Sequence, residues 1–292
     1  MKTKKECMRC GEVKDLSHFY KHKGMAENTV KAYEIHLRHY YSYLKQKDLD
    51  YKNIKTKDIR KYTRASTNRG DTNGTVNVRL SAIKSFYDYL IDDEIMEYNP
   101  ITKAVFLKHK PLKTKPLTPE EKNMILTYME SKDKHIELGF KVLFATGLRV
   151  SELANLKRED VKIINNRAVV HVIHTKRDKE RYVPVFDPEV AQDLLNYTEE
   201  QLIDPLFKVK KRTFQYHAEQ AGKNLDILFN IHQTRYTFAT ERLQEGIRLD
   251  ILQKLLGHKD ISTTLLYAKT LDIDIINAAA PIETLMEERK DE

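Results

Sequence analysis

The sequence of 292 residues is 40% hydrophobic and 32% charged, a balance that excludes a disordered chain and fits one large domain or two ordinary ones. No apolar run reaches the roughly 18 residues of a membrane span, so no membrane partner is expected, and the basic start MKTKKECMRCGEV lacks the apolar stretch of a secretory signal. A formal net charge of +8 points to a polyanionic partner such as nucleic acid. Two cysteines, Cys7 and Cys10, are too few for a disulfide framework and fit a reducing cytoplasm.

At the N-terminus, Cys7-x2-Cys10 followed by Gly11 has the form of a zinc-knuckle turn, and His18 and His22 form H-x3-H. These four residues are a candidate structural zinc site, with a gap between the pairs shorter than in the common two-Cys, two-His finger. The alternative is a short basic extension with two free thiols. Residues 28 to 47 place Val30, Tyr33, Leu37, Tyr40, Tyr41 and Leu44 at helical spacing. A shorter helix is expected over 53 to 63 with Thr56 as N-cap, then a polar loop over 66 to 74. The next stretch, TVNVRLSAIKSFYDYLIDDEI, predicts an amphipathic helix with Val78, Leu80, Ile83, Phe86, Tyr87 and Leu90 on its apolar side. Its end is expected before Asn99-Pro100, because proline disfavours helix in the residue ahead of it.

Residues 108 to 117, KHKPLKTKPL, carry four lysines and two prolines without apolar periodicity and read as a stiff basic linker. Thr118-Pro119-Glu120-Glu121 then opens a helix with an N-cap, proline at the first helical position and acids in the first turn. A second helix, from about His135 to Thr146, ends at Gly147. Residues 167 to 186 contain two β-type runs about a charged turn, Lys176 to Arg181, which is a hairpin signal. Helical patterns continue to the end. The fold class is therefore mainly α with a small antiparallel β-sheet.

Three stretches carry chemistry-bearing residues. In ATGLRVSELANLKREDV, Gly147 breaks one helix and Arg149 stands at the start of the next, followed by Glu152. In HQTRYTFATERLQEG, His232 and Arg235 are three apart and share a helix face. In LDILQKLLGHKDISTTLLY, Gly257 closes a helix, His258 follows at once, and Ser262, Thr263 and Thr264 are candidate caps for a new helix bearing Tyr267. Taken singly, Arg149 or Arg235 would more often be a surface ion-pair partner, and His258 a helix-end residue facing the dipole.

Together these residues resemble the tyrosine recombinase, or phage integrase, family from about residue 25 to 270. The resemblance rests on GLR-x-SEL, a lysine in a hairpin turn, H-x-x-R on a helix, LLGH, and a tyrosine after STT, all in order, with NT-x3-Y, VRLSAIKSFYDYL and NP nearer the start. It implies a helical SAM-like core-binding domain (25–107) after an N-terminal extension (1–24). The basic linker (108–117) would then lead to a catalytic domain (118–292) ending in a segment that docks on a neighbouring copy or folds back on its own domain. It also implies a site of Arg149, Lys176, His232, Arg235, His258 and Tyr267.

A free tyrosine has a pKa of about 10 and is a poor nucleophile at neutral pH, and a phosphodiester repels anything negative. Two guanidinium forks, Arg149 and Arg235, answer the second problem by holding the phosphate oxygens. By resemblance Lys176 protonates the departing 5′-oxygen, His232 accepts the tyrosine's proton, His258 donates to the phosphate, and Tyr267 becomes joined to the 3′-phosphate. Lys179 is an alternative to Lys176 in the same turn, and Glu152 is expected to support the arginine. No catalytic cofactor is implied. The implied partners are double-stranded DNA with a specific recombination site, other copies of the chain in a tetramer, and accessory DNA-bending or directionality proteins. Integration or excision of a phage or mobile element is the expected role, with chromosome dimer resolution as its neighbour. A catalytically silent repressor with the same fold and a monomeric topoisomerase are the rival readings.

Overall fold

The structure is a computed structural model that describes residues 19, 24, 25, 27–109, 115–173 and 180–268. Among the described residues there are eleven α-helices and one three-stranded sheet, and no described helix is long and apolar enough to cross a membrane. The chain divides into two compact units, Met1–Leu112 and Lys113–Glu292. Cys7, Cys10, His18 and His22 lie outside the described residues, as do Lys176, Lys179, residues 110–114 of the linker and everything after residue 268.

The first unit is built on α1 (Glu27–Gln46), α2 (Thr56–Asn68) and α3 (Asn73–Asp92). Its core is aromatic: Tyr40, Tyr62, Phe86 and Tyr87 are fully buried, with Leu37, Leu80, Ile83 and Leu90 around them. Burying tyrosines requires partners for their hydroxyls. The Tyr40 and Tyr87 hydroxyls lie 2.8 Å apart, and Tyr87 donates to the Tyr51 carbonyl at 3.1 Å. Phe19 joins the same core, 5.7 Å from the Phe86 ring.

Several local expectations change here. Lys55, not Thr56, is the N-cap of α2, and Asp58 reaches back to the Lys55 N–H at 3.3 Å. The helix runs on to Asn68, so the expected loop shrinks to residues 69–72, and Thr72 caps α3 through the Thr75 N–H at 3.2 Å. Threonines inside α2 bond back to carbonyls of the preceding turn instead of ending the helix (Thr63 to Arg60, Thr67 to Thr63 and Arg64). Val78 is 53% exposed while Val76 is buried, so the apolar stripe of α3 begins at Val76. The helix ends at Asp92 because Glu94 turns to φ +57, well ahead of Asn99-Pro100.

The second unit opens as expected. Thr118 accepts from the Glu121 N–H at 3.2 Å and its own N–H donates to the Glu121 carboxylate at 2.8 Å, a full capping box for α4 (Pro119–Glu130). Just before it, the linker end is tied down: Leu117 N–H donates to Thr237 Oγ1 at 2.9 Å, and Gln233 donates to the Lys115 carbonyl. Then come α5 (Lys134–Thr146), the short α6 (Val150–Leu153), and strands β1 (Val161–Ile164), β2 (Arg167–Val172) and β3 (Arg181–Pro184). The sheet is antiparallel in the order β1-β2-β3, with Val170 opposite both Val161 and Val183. The extra strand β1 follows from Asn165-Asn166, whose φ angles of +50 and +58 make the two-residue turn that suits a hairpin's twist. Helices α7 (Pro188–Glu200), α8 (Lys211–Leu225), α9 (His232–Gln244), α10 (Leu249–Leu256) and α11 (Ile261–Ala268) complete the unit. The core centres on Phe140, Leu143, Val170, Leu194, Phe207 and Phe214.

Gly147 ends α5 at φ +63, and a Cβ built there would lie 2.3 Å from Phe238 Cδ1 on α9. Gly147→Ala therefore combines a left-handed backbone penalty with a clash against a fully buried ring, and a loss of at least about 2 kcal/mol is expected. Denaturant unfolding measures it.

Candidate active site

The site forms around the C-terminal end of α10. Helix ends leave carbonyls without intrahelical partners and carry partial negative charge. Gly257, at φ +65, closes α10 with paired bonds from Gly257 N–H to Lys254 O and from His258 N–H to Gln253 O, both 3.1 Å. Arginines from three other elements then bond the last carbonyls. Arg181 of β3 donates from Nε to Leu255 O at 2.7 Å, Arg235 of α9 donates to Leu256 O, and Arg149, the N-cap of α6, approaches Gly257 O at 3.4 Å. Arg235 also donates to Gly147 O at 2.7 Å, which fastens the end of α5 to the same place.

His258, half-buried beyond this helix end, lies with Nε2 3.0 Å from Arg235 Nη2 and Nδ1 2.9 Å from Thr264 Oγ1. A guanidinium can only donate, so Nε2 accepts, and the network assigns the ring proton to Nδ1, directed at the threonine. Tyr267 is 9% exposed, its ring 5.9 Å from His258 at an interplanar angle of 17°, with Tyr236 edge-on at 4.8 Å. The helix that carries it is started by Asp260, whose carboxylate accepts from the Ser262 N–H at 2.8 Å. Ser262, Thr263 and Thr264 are thus inside α11 and do not cap it, because an aspartate one residue ahead of the helix outcompetes them. Thr264 is fully buried and serves His258 instead.

Two charged groups shape the electrostatics. Burial, with the Arg149 charge adding to it, pulls the Arg235 guanidinium down to about 10, still cationic at neutral pH, while a charge on Tyr267 would favour it. Burial would raise Glu152, but hydrogen bonds and charge from Arg181, then from Arg149, hold its carboxyl below the usual range. Glu152 supports Arg149 as expected, accepting from its backbone N–H at 2.7 Å and from Nη1 at 2.9 Å.

His232 opens α9, one turn before Arg235, and is exposed at the surface. Desolvation, then the Lys211 and Arg235 charges, hold its imidazole below the ordinary 6.5, so it is neutral and able to accept a proton at neutral pH. Because its folded-state pKa is depressed, the unfolded chain binds more protons just below pH 6.5 and stability falls as pH drops through that window. His232→Gln should flatten that slope, read from urea unfolding at a series of pH values.

The structure thus gathers Arg149, Arg235, His258 and Tyr267 at one helix end and sets His232 at its margin. Arg181 was missed as a site residue, although RYVP carries the signal: alternation along β3 puts Arg181 on the same inward face as Val183. Two cationic forks, a hydrogen-bonding imidazole and a phenol suit an attack on a phosphodiester.

The sequence matches the Phage integrase family over residues 115–272, and the Phage integrase, N-terminal SAM-like domain over residues 16–94. The chain belongs to the phage integrase family. It is a tyrosine recombinase, an enzyme that cleaves and rejoins DNA, with a SAM-like helical domain followed by the family's catalytic domain. It is 30% identical over 282 residues to tyrosine recombinase XerD of Listeria monocytogenes, covering 87% of this chain and 92% of that one. Among solved structures, the Tn1549 transposon integrase in complex with a circular intermediate DNA shares the fold at a TM-score of 0.69 and 21% identity, over 86% of this recombinase and 92% of that chain. A lambda integrase tetramer bound to a Holliday junction gives a TM-score of 0.69 at 18% identity, over 86% of this chain and 75% of that one.

Proposed function

We propose that this recombinase acts at a specific DNA site through a 3′-phosphotyrosyl intermediate. Tyr267 Oη forms a bond to the scissile phosphorus as the bond to the 5′-oxygen breaks; the phenol proton passes to His232, and Lys176 protonates the departing 5′-oxygen, which leaves as a 5′-hydroxyl. Arg149 and Arg235 hold the non-bridging oxygens and offset the charge that builds on them; with phosphate bound, His258 takes the tautomer protonated on Nε2 and donates to the phosphate, while the Thr264 hydroxyl donates to Nδ1. Religation is the reverse step with a different 5′-hydroxyl. The bond energy stays in the phosphotyrosine, so neither ATP nor a metal is consumed. The observation that carries this reading is the convergence of Arg149, Arg235, His258 and Tyr267 on the end of α10.

In this reading the copies exchange strands as a tetramer, the segment after residue 268 docks between copies, and accessory DNA-bending or directionality proteins select the direction. Integration and excision of a mobile element is the role proposed. Similarity to XerD favours a second role for the same chemistry, resolution of chromosome dimers. A structural zinc on Cys7, Cys10, His18 and His22 belongs to the same proposal. Metal analysis of the purified chain, with loss of zinc in Cys7→Ser, tests it.

The deciding experiment is covalent capture. The protein is incubated with sheared DNA of its source cell, denatured, and the protein-linked ends are sequenced, with Tyr267→Phe as control. Adducts at one recurrent sequence establish site-specific recombination, and their place, at the ends of an element or at one chromosomal locus, selects between the two roles. Specific retention of DNA without any adduct would overturn the reading in favour of a silent repressor. Relaxation of plasmid without sequence requirement would favour the topoisomerase reading.

A further inference from the structure

Arg181 is tied to the site on two sides. Its Nη1 and Nη2 donate to the two Glu152 oxygens at 3.1 and 2.8 Å, and its Nε donates to Leu255 O at 2.7 Å. The same two oxygens accept from Arg149 Nη1 and Arg149 N–H. One guanidinium therefore links the partner of Arg149 to the helix end that delivers His258, three residues on. The Gly257 backbone packs against it so closely that a Cβ there would lie 3.0 Å from Arg181 Nη1.

Charge gives this link a consequence. Arg149 and Glu152 alone form a neutral pair, and a neutral pair is a weak holder of phosphate. A second guanidinium on the carboxylate sets two positive charges against that one negative charge. Arg181 cannot present its own charge to a ligand, since its side chain is 7% exposed, whereas the Arg149 side chain is 33% exposed and reachable by a ligand.

We propose that Arg181 is a positioning residue for strand cleavage: by sharing Glu152 and fixing the end of α10, it weakens the hold of that carboxylate on the charge Arg149 brings to the scissile phosphate and keeps His258 in register. The proposal rests on the reading of Arg149 as a phosphate-holding group. It assigns Arg181 no contact with DNA.

The test uses the full-length protein and a nicked duplex carrying the site recovered by capture, made either with the natural phosphodiester or with a neutral methylphosphonate at the scissile position. The methylphosphonate builds less negative charge in its transition state, so a variant short of positive charge is penalised less on it. Arg181→Met keeps the length of the side chain and removes its charge and donors. It should form adduct about 10- to 100-fold more slowly than wild type on the phosphodiester, and within about threefold of wild type on the methylphosphonate. Arg181→Lys should fall between, since an ammonium lacks the fork that reaches Glu152 and Leu255 O together. Arg181→Met/Glu152→Gln removes the carboxylate charge that then falls on Arg149 alone and should regain most of the lost rate. It also covers the case in which the single variant fails to fold.

Arg149→Ala is the control for the underlying reading. If its loss is not relieved on the methylphosphonate, Arg149 does not hold the phosphate charge, and the reading falls together with the proposal. If Arg149→Ala behaves as a charge deficit while the Arg181 variants lose nothing, lose equally on both substrates, or gain nothing from Glu152→Gln, the proposal for Arg181 is overturned and the role of Arg149 stands.

Discussion

Tyr267→Phe forms no covalent adduct with DNA on any substrate, while its affinity for the same DNA stays within about twofold of wild type and its stability within about 1 kcal/mol. The substitution removes one hydroxyl and nothing else. The ring remains stacked 5.9 Å from His258 and edge-on to Tyr236, and the surrounding cluster of Phe238, Ala239, Leu252 and Leu256 is apolar, so a phenylalanine fits the same space. Without a nucleophile there is no bond to the phosphorus. Denaturing gels of protein with radiolabelled DNA read the adduct, and filter retention without denaturation reads binding. Wild-type levels of adduct in Tyr267→Phe would remove Tyr267 from the mechanism.

The second large effect separates two arginines that do similar chemistry from different structural positions. Arg235→Ala should slow cleavage by about 10²- to 10³-fold and also lower stability by about 3 kcal/mol. Its guanidinium is buried and donates to Gly147 O, Leu256 O and His258 Nε2, so removing it strands groups at the ends of two helices. Arg149→Ala should slow cleavage by a similar factor, roughly 10²- to 10³-fold, with a smaller loss of stability. Arg149 is partly exposed, and Glu152 keeps its bonds from Arg181 when Arg149 is gone. Single-turnover cleavage and urea unfolding on the two variants check both halves. Equal stability losses would mean that the difference in burial does not matter energetically.

Much of the fold could be read along the chain. The capping box at Thr118 and Glu121, the left-handed glycines at 147 and 257, and the amphipathic runs of α1 and α3 are local features with a local physical cause. The misses are those where tertiary context overrode propensity. Thr56 looked like a cap and is instead the first residue of α2. Thr67 fell in the stretch read as a loop, but its hydroxyl bonds back to carbonyls of its own helix. Val78 fitted the apolar stripe by type, yet the unit buries the face of Val76. Strand β1 is short, and its Ile163 and Ile164 are exposed, so no hydrophobic alternation announced it; Asn165-Asn166 was the readable signal.

The candidate site divides in the same way. Sequence alone determined which side chains were available, in which order, and that Gly257 would stop a helix just before His258, because helix termination and residue chemistry are local. Only the tertiary structure decided that Arg181, Arg235 and Arg149 meet at the carbonyls of one helix end. Those bonds join residues from 21 to 108 positions apart, and the carbonyls of Leu255, Leu256 and Gly257 become shared acceptors only once β3, α9 and α6 are packed around α10. The physical reason is that a buried guanidinium must find acceptors for its donors wherever the fold supplies them, and that demand leaves no periodic mark on the chain.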